Sequence, residues 1–448
     1  MNRRAPAVAE TGRVDSLNHE GAGVVRGGKT AFVSGALPGE TVSFIRRRHH
    51  RQHDEAELLT VLEPAAERVA PRCAHFGVCG GCALQHLDSA AQLVIKERQL
   101  RENLERVGRV EPREWLAPLT GPQWQYRRRA RLGARFVHAR GRSMVGFREH
   151  FSSHIAELKH CEVLAPPVGE LLAPLGELLT RLAVRERVPQ IEVAVAENAV
   201  VLVMRVLDPP TPEDEMMLLE FEQTHGVRFF LQSAGPDSVR PLREPAAALE
   251  YTLPEFDIRL QFEPGDFLQV NAELNRSLVS RVVELLQLDA QSELLDLYCG
   301  LGNFTLPIAR RAASVTGVEG EASLVARARA NAERNGIGNA AFHSANLAGA
   351  DFGAAPWAGR SYSHVLLDPP RVGAREVLPL LQRVGAQRVV YVSCHPGSLA
   401  RDLGILVHEL GFELLAAGVA DMFPQTTHVE SLAVLAPARP RARQLRPQ

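Results

Sequence analysis

The sequence predicts a multidomain protein with an amino-terminal β-barrel, an α+β middle segment and a carboxyl-terminal doubly wound α/β domain. Three observations carry this expectation. Over residues 8–63, short apolar runs are separated by glycine and proline turns, the pattern of a small barrel. Three cysteines, Cys73, Cys79 and Cys82, then crowd into one short stretch ahead of a mixed strand and helix pattern. From residue 266 onward apolar strands alternate with helical stretches, as in a parallel sheet covered on both faces. A chain of 448 residues is also too long for one ordinary core.

The barrel strands are expected at Gly21–Val25, Lys29–Val33 and Glu40–Ile45, followed by the basic tract Arg46–Arg51. That tract is either a solvated hairpin tip or a contact for phosphate. The middle segment, 64–265, holds the cysteines, a helical stretch Ser89–Val107 and neighbouring strands at Ile191–Val195 and Ala199–Met204. In the last domain, 266–436, strands are expected at Glu293–Tyr298, Ser314–Glu319, Val365–Asp368 and Arg388–Cys394. The tail 437–448 is rich in proline and arginine and is expected to be disordered.

Hydrophobic content of 45% and charged content of 23% are ordinary for a soluble globular protein. The net charge of −1 conceals local basic runs, above all Tyr126–Arg131, and Lys29, Lys96 and Lys159 are the only lysines. Arginine binds phosphate with two donors and stacks on bases, so the bias suits RNA; a high-GC genome would give it too. The start has no signal-peptide core, and no run approaches the ~20 apolar residues of a membrane span. A cytoplasmic protein with reduced thiols is expected, so its six cysteines favour metal or catalytic roles over disulfides.

Asp296-Leu-Tyr-Cys-Gly-Leu-Gly-Asn-Phe304 reads as a strand feeding a glycine turn, with Glu319 ending the next strand. Glycines let the backbone approach a ligand, and the carboxylate can accept hydrogen bonds from a ribose. Thr305 stands where the third glycine of a dinucleotide motif would be, which favours S-adenosylmethionine. Two further strand ends, Asp368-Pro-Pro-Arg371 and Ser393-Cys-His-Pro396, set the chemistry. Thiolate addition to carbon 6 of a uracil makes carbon 5 nucleophilic, and a base must afterwards remove the carbon 5 proton. Cys394 is the candidate nucleophile and Glu430 the candidate base, with Asp368 placed to hold the polar edge of the ring. Each residue alone has a bland reading as buried filler or surface; their combination does not.

These motifs, with His428-Val-Glu430, resemble the bacterial RNA (uracil-5-)-methyltransferase family. The resemblance implies Cys394 as nucleophile and Glu430 as base, and cofactor contacts from Gln269, Tyr298, Asn303, Glu319, Asn346 and Asp368. The amino-terminal pattern is similar to the TRAM domain, an OB-like RNA-binding barrel. Cys73, Cys79, Cys82 and Cys161 form C-x5-C-x2-C with a distant fourth thiol, a set that can hold a [4Fe–4S] cluster; zinc and unligated thiols stay open. Barrel and cysteine set together resemble the branch of the family that acts on 23S ribosomal RNA. Tyr126–Arg131 and Gly146-Phe-Arg148 look like segments of its central domain that meet phosphates. The alternatives are a transfer RNA enzyme of the same chemistry and a non-catalytic RNA chaperone. Neither a membrane nor an obligate protein partner is expected.

Overall fold

A computed structural model describes residues 8–150, 152–245, 248–349 and 351–438, so the expected disordered tail lies almost wholly outside the described residues. Strands β1 (Glu10–Leu17), β2 (Gly23–Val25), β3 (Thr30–Ser34), β4 (Thr41–His49) and β5 (His53–Glu63) close into a barrel in the order β1-β2-β3-β5-β4. Alternation along the strands turns Val14, Ala31, Val33, Val42, Phe44 and Ala56 inward to fill it. Closure leaves no unpaired sheet edge. The basic tract forms the end of β4 and the turn into β5, a hairpin tip within the barrel and not a segment that follows it. Arg46 is ion-paired with Glu10 at 2.8 Å and Asp54 at 3.0 Å, and Arg47 with Glu57 at 2.6 Å. Much of its charge is therefore spent within the barrel.

Next come α1 (Ser89–Asn103), opened by the Asp88 carboxylate accepting from two backbone N–H groups, and β6 (Glu114–Trp115). Strands β7 (Arg129–Val137), β8 (Arg142–Gly146), β9 (Gln190–Val195), β10 (Val200–Arg205), β11 (Arg228–Gln232) and β12 (Val239–Pro241) form a six-stranded sheet in the order β12-β11-β10-β9-β7-β8. Helix α2 (Leu172–Arg181) lays Leu172, Leu175, Leu178 and Leu179 on it, a three-to-four residue spacing that gathers them on one helix face. Helix α3 (Pro212–His225) is fixed at its start by the reciprocal capping of Thr211 and Asp214. The hairpin β13 (Leu249–Leu253) and β14 (Ile258–Phe262) leads into the last domain.

There α4 (Ala272–Leu286), β15 (Glu293–Leu297), α5 (Thr305–Ala309), β16 (Ser314–Glu319), α6 (Ala322–Arg334), β17 (Ala340–Ser344), β18 (His364–Leu367), α7 (Leu378–Arg383), β19 (Arg388–Ser393), α8 (Pro396–His408), β20 (Phe412–Ala420) and β21 (Glu430–Pro437) follow in turn. The sheet order is β17-β16-β15-β18-β19-β21-β20-β6. Helices cover both faces of its parallel part, so Val389, Val390, Tyr391 and Val392 are all buried rather than alternately so. The sheet is mixed where the sequence reading expects it wholly parallel: β21 runs antiparallel to both β19 and β20. The β20–β21 connection, residues 421–429, is shorter than the dozen or so residues of a parallel crossover. The edge strand β6 is donated from far upstream, and Leu100 and Leu104, on α1 and just after it, share a core with Leu399 and Leu403 of α8.

Candidate active site

In a parallel sheet of this kind, ligands lie beyond the carboxyl ends of the strands. β15, β16, β17, β18 and β19 end there with Tyr298, Glu319, Asn346, Asp368 and Cys394 at or just past their last residues. The glycine turn after β15 is tight: Gly300 and Gly302 both lie in the left-handed region, at φ +54° and +99°. A Cβ at Gly300 would meet nothing within 4 Å, so a bound molecule can reach the backbone there. Glu319 is held against the turn, its two oxygens accepting from the N–H groups of Gly300 at 3.1 Å and Gly320 at 2.7 Å. Thus aimed, it keeps lone pairs for a ligand hydroxyl. The donor set and the open backbone cradle fit S-adenosylmethionine.

Asn303 is less free than its motif suggests. Its amide exchanges two 3.0 Å hydrogen bonds with Asn275 of α4, and its oxygen also accepts from the Tyr251 hydroxyl at 2.9 Å. Gln269 is partly exposed on a loop fastened from two sides. Arg128 donates to its carbonyl at 2.8 Å, and Arg327 pairs with Asp266 at 2.8 Å. Asn346 is exposed, its side-chain oxygen turned to the Ala348 N–H at 3.1 Å. Neither Asn275 nor Tyr251 carries a sequence signal. Three residues of the Tyr126–Arg131 run also depart from the phosphate reading. Arg128 is 4% exposed, Arg129 donates to the Pro264 carbonyl, and the Tyr126 hydroxyl is buried on the Pro424 carbonyl at 2.8 Å.

The register of the sheet brings the two reactive groups together. Ser393 of β19 is paired with Ser431 of β21, and these strands are antiparallel. The next residues outward, Cys394 and Glu430, therefore stand opposite each other, although 36 positions separate them in sequence. Burial, reinforced by Glu430 and Asp368 and opposed by Arg371, pushes the Cys394 thiol up to about 11. Burial and Asp368 raise Glu430, which is 3% exposed, well above the ordinary carboxylate range. Burial, with Glu319 nearby, holds Asp368 at about 7. A cationic ligand among these carboxylates would lower all three. His395 is not a base for the thiol: its Nδ1 caps α8 by accepting the Ser398 N–H at 3.1 Å. The start of that helix adds a positive field beside Cys394. Cys299 is different in kind, 6% exposed, packed against Gly317, with its thiol also raised by burial.

Cys73, Cys79, Cys82 and Cys161 line one cavity with His75, Phe76 and Phe147. Burial pushes Cys79 to about 11 and Cys82 to about 12, and raises Cys161. Backbone N–H groups of Gly81, and of Val163 and Leu164, point to the sulfurs of Cys79 and Cys161. Among the described residues no group of three or more His, Cys, Asp or Glu side chains is placed to hold a metal ion.

A glycine-turn crevice ending a Rossmann-like sheet, with a thiol facing a carboxylate beside it, defines an S-adenosylmethionine-dependent methyltransferase of the thiol-using kind. A family model described as tRNA (Uracil-5-)-methyltransferase matches residues 250–437. The chain is 48% identical over 436 residues to the 23S rRNA (uracil(1939)-C(5))-methyltransferase RlmD of Methylococcus capsulatus, covering 96% of this chain and 98% of that one. It is 50% identical over 429 residues to the enzyme of the same name from Nitrosococcus oceani, covering 95% and 96%. The chain belongs to the RNA (uracil-5-)-methyltransferase family. In fold it is similar to the Pyrococcus abyssi tRNA (uracil-54, C5)-methyltransferase in complex with S-adenosyl-L-homocysteine, with a TM-score of 0.73, 23% identity, and coverage of 95% of this chain and all of that one.

Proposed function

We propose that this protein methylates carbon 5 of a uridine in 23S ribosomal RNA, and that the uridine is the one equivalent to position 1939, which the similar enzymes carry in their names. The observation that carries the chemistry is that Cys394 and Glu430 each lie one residue beyond the Ser393–Ser431 cross-strand pair, with Asp368 close enough to raise both, at the mouth of the cofactor crevice. S-adenosylmethionine, when bound, supplies the methyl group as an electrophile. Cys394 adds to carbon 6, forming a sulfur–carbon bond and leaving carbon 5 enolate-like. Asp368 holds the polar edge of the ring. After carbon 5 has taken the methyl group, Glu430 accepts the carbon 5 proton, and the sulfur–carbon bond breaks to release Cys394. A high pKa makes Glu430, once ionised, a strong base for that step. Gln269, Tyr298, Asn303, Glu319, Asn346 and Asp368 are the cofactor contacts in this reading.

Two further assignments complete the reading. The barrel is an RNA contact surface, supported by its OB-like closure. Cys73, Cys79, Cys82 and Cys161 hold a [4Fe–4S] cluster. The support is that four thiols share one cavity and that backbone N–H groups are aimed at the sulfurs of Cys79 and Cys161. Incubating the enzyme with S-adenosylmethionine and fragments of 23S ribosomal RNA or transfer RNA, then mapping 5-methyluridine, tests the function. Methylation at position 1939 alone is expected; methylation confined to transfer RNA overturns the substrate assignment.

A further inference from the structure

Strands β20 and β21 pair directly, with Ala420 opposite Glu430, so a turn of a few residues would join them. Instead the longer segment 421–429 intervenes, and side chains from outside the catalytic sheet tie it down. Gln92 of α1, 2% exposed, takes the Gln425 N–H on its oxygen at 3.0 Å and donates to the Gln425 side-chain oxygen at 3.0 Å. The Gln425 carbonyl receives the N–H groups of Ala83 at 2.9 Å and Leu84 at 3.0 Å, the two residues after Cys82. Gln425 is itself 2% exposed and held at φ +67°, a conformation uncommon outside glycine. One turn further along α1, Lys96 is 1% exposed and pairs with Asp421 while donating to the Phe423 carbonyl at 3.0 Å.

We propose that Gln92 and Lys96 of α1, with the Ala83–Leu84 backbone, form a brace that positions Glu430 through the 421–429 segment. They are positioning residues, since none touches the reacting atoms. The inference rests on the reading of Glu430 as the base that removes the carbon 5 proton. The buried hydrogen bonds to the Gln425 N–H, carbonyl and side-chain oxygen fix the entry of the chain into β21, whose first residue is Glu430. Cys394 is held separately, at the end of β19 and ahead of α8. Loosening the brace therefore moves the base and leaves the nucleophile in place. A misplacement of about 1 Å can cost on the order of a hundredfold, so elimination slows while attack and methyl transfer continue.

The test uses full-length enzyme, S-adenosylmethionine and the RNA substrate, measuring single-turnover methyl transfer and the decay of the denaturation-resistant RNA–protein adduct separately. Gln92→Leu removes both contacts to Gln425. Gln425→Gly keeps the left-handed backbone and its carbonyl and loses only the side chain, so the fold is preserved should Gln92→Leu fail to fold. Elimination is expected to slow by roughly tenfold or more in each folded variant, with methyl transfer within about threefold of wild type. A merely structural role would lower both steps together or neither, and either result in folded Gln425→Gly overturns the brace. Glu430→Gln is run alongside. If it accumulates adduct and the brace variants do not, only the brace is wrong; if it accumulates none, the base assignment fails first.

Discussion

Replacing Asp296 by Asn isolates the electrostatic strain stored under the cofactor crevice. Asp296 lies in the middle of the parallel sheet and is 1% exposed. One carboxyl oxygen accepts from the Thr305 hydroxyl, and the other has no partner. Burial, with Asp368 and Glu319 adding, lifts it from 3.8 to about 7. A carboxyl whose folded pKa is raised stabilises the fold fully below its unfolded pKa, and that contribution is lost as pH rises through the folded value. The gap corresponds to roughly 4 kcal/mol, lost progressively between about pH 4 and pH 7. Asn keeps the acceptor for Thr305 and presents N–H where the protonated acid presents O–H, but it does not titrate. Thermal unfolding of cofactor-free protein at pH 5 and pH 8 reads the effect. The advantage of Asp296→Asn over wild type should grow by roughly 3 kcal/mol over that interval, on the order of 10 °C for a domain of this size. Melting temperatures that run in parallel from pH 5 to pH 8 would refute the reasoning.

Other outcomes follow from the same geometry. Cys394→Ala should abolish methylation and every covalent RNA complex while still binding cofactor, whereas Glu430→Gln should accumulate a methylated adduct visible on denaturing gels; an adduct in Cys394→Ala would shift the nucleophile elsewhere. Because burial and neighbouring carboxylates raise the Cys394 thiol to about 11, adduct formation with 5-fluorouridine RNA should accelerate from pH 6 to pH 9, and a flat profile would show the thiolate is already formed. Anaerobically purified protein should carry about four iron and four sulfide, with Cys79→Ser losing the visible absorbance; stoichiometric zinc without iron would sink the cluster. Lys96→Met should destabilise the protein by roughly 3–5 kcal/mol in denaturant unfolding, because it leaves the Asp421 carboxylate buried without its cation.

Local chemistry made much of this protein legible from sequence. The glycine turn at Gly300 and Gly302, the acidic strand end at Glu319 and the alternating strands are short-range patterns, dictated by backbone freedom and by which faces must be buried. The barrel and the methyltransferase domain were readable for that reason, while the family came from the resemblance of the combined motifs. Three matters depended on contacts between distant residues. The sequence joined Cys394 and Glu430 by their chemistry; the antiparallel register of β19 and β21, ending at Ser393–Ser431, is what brings them to one place. The arginine run beginning at Arg127 looked like a phosphate surface, but Arg128 and Arg129 are spent on the carbonyls of Gln269 and Pro264, because that loop takes its donors from a neighbouring sheet. Nothing in a helical stretch marks Gln92 or Lys96, since a polar residue on a helix is ordinarily solvated. Only the packing of α1 against the 421–429 segment buries them, and a buried polar group must then find its partner there.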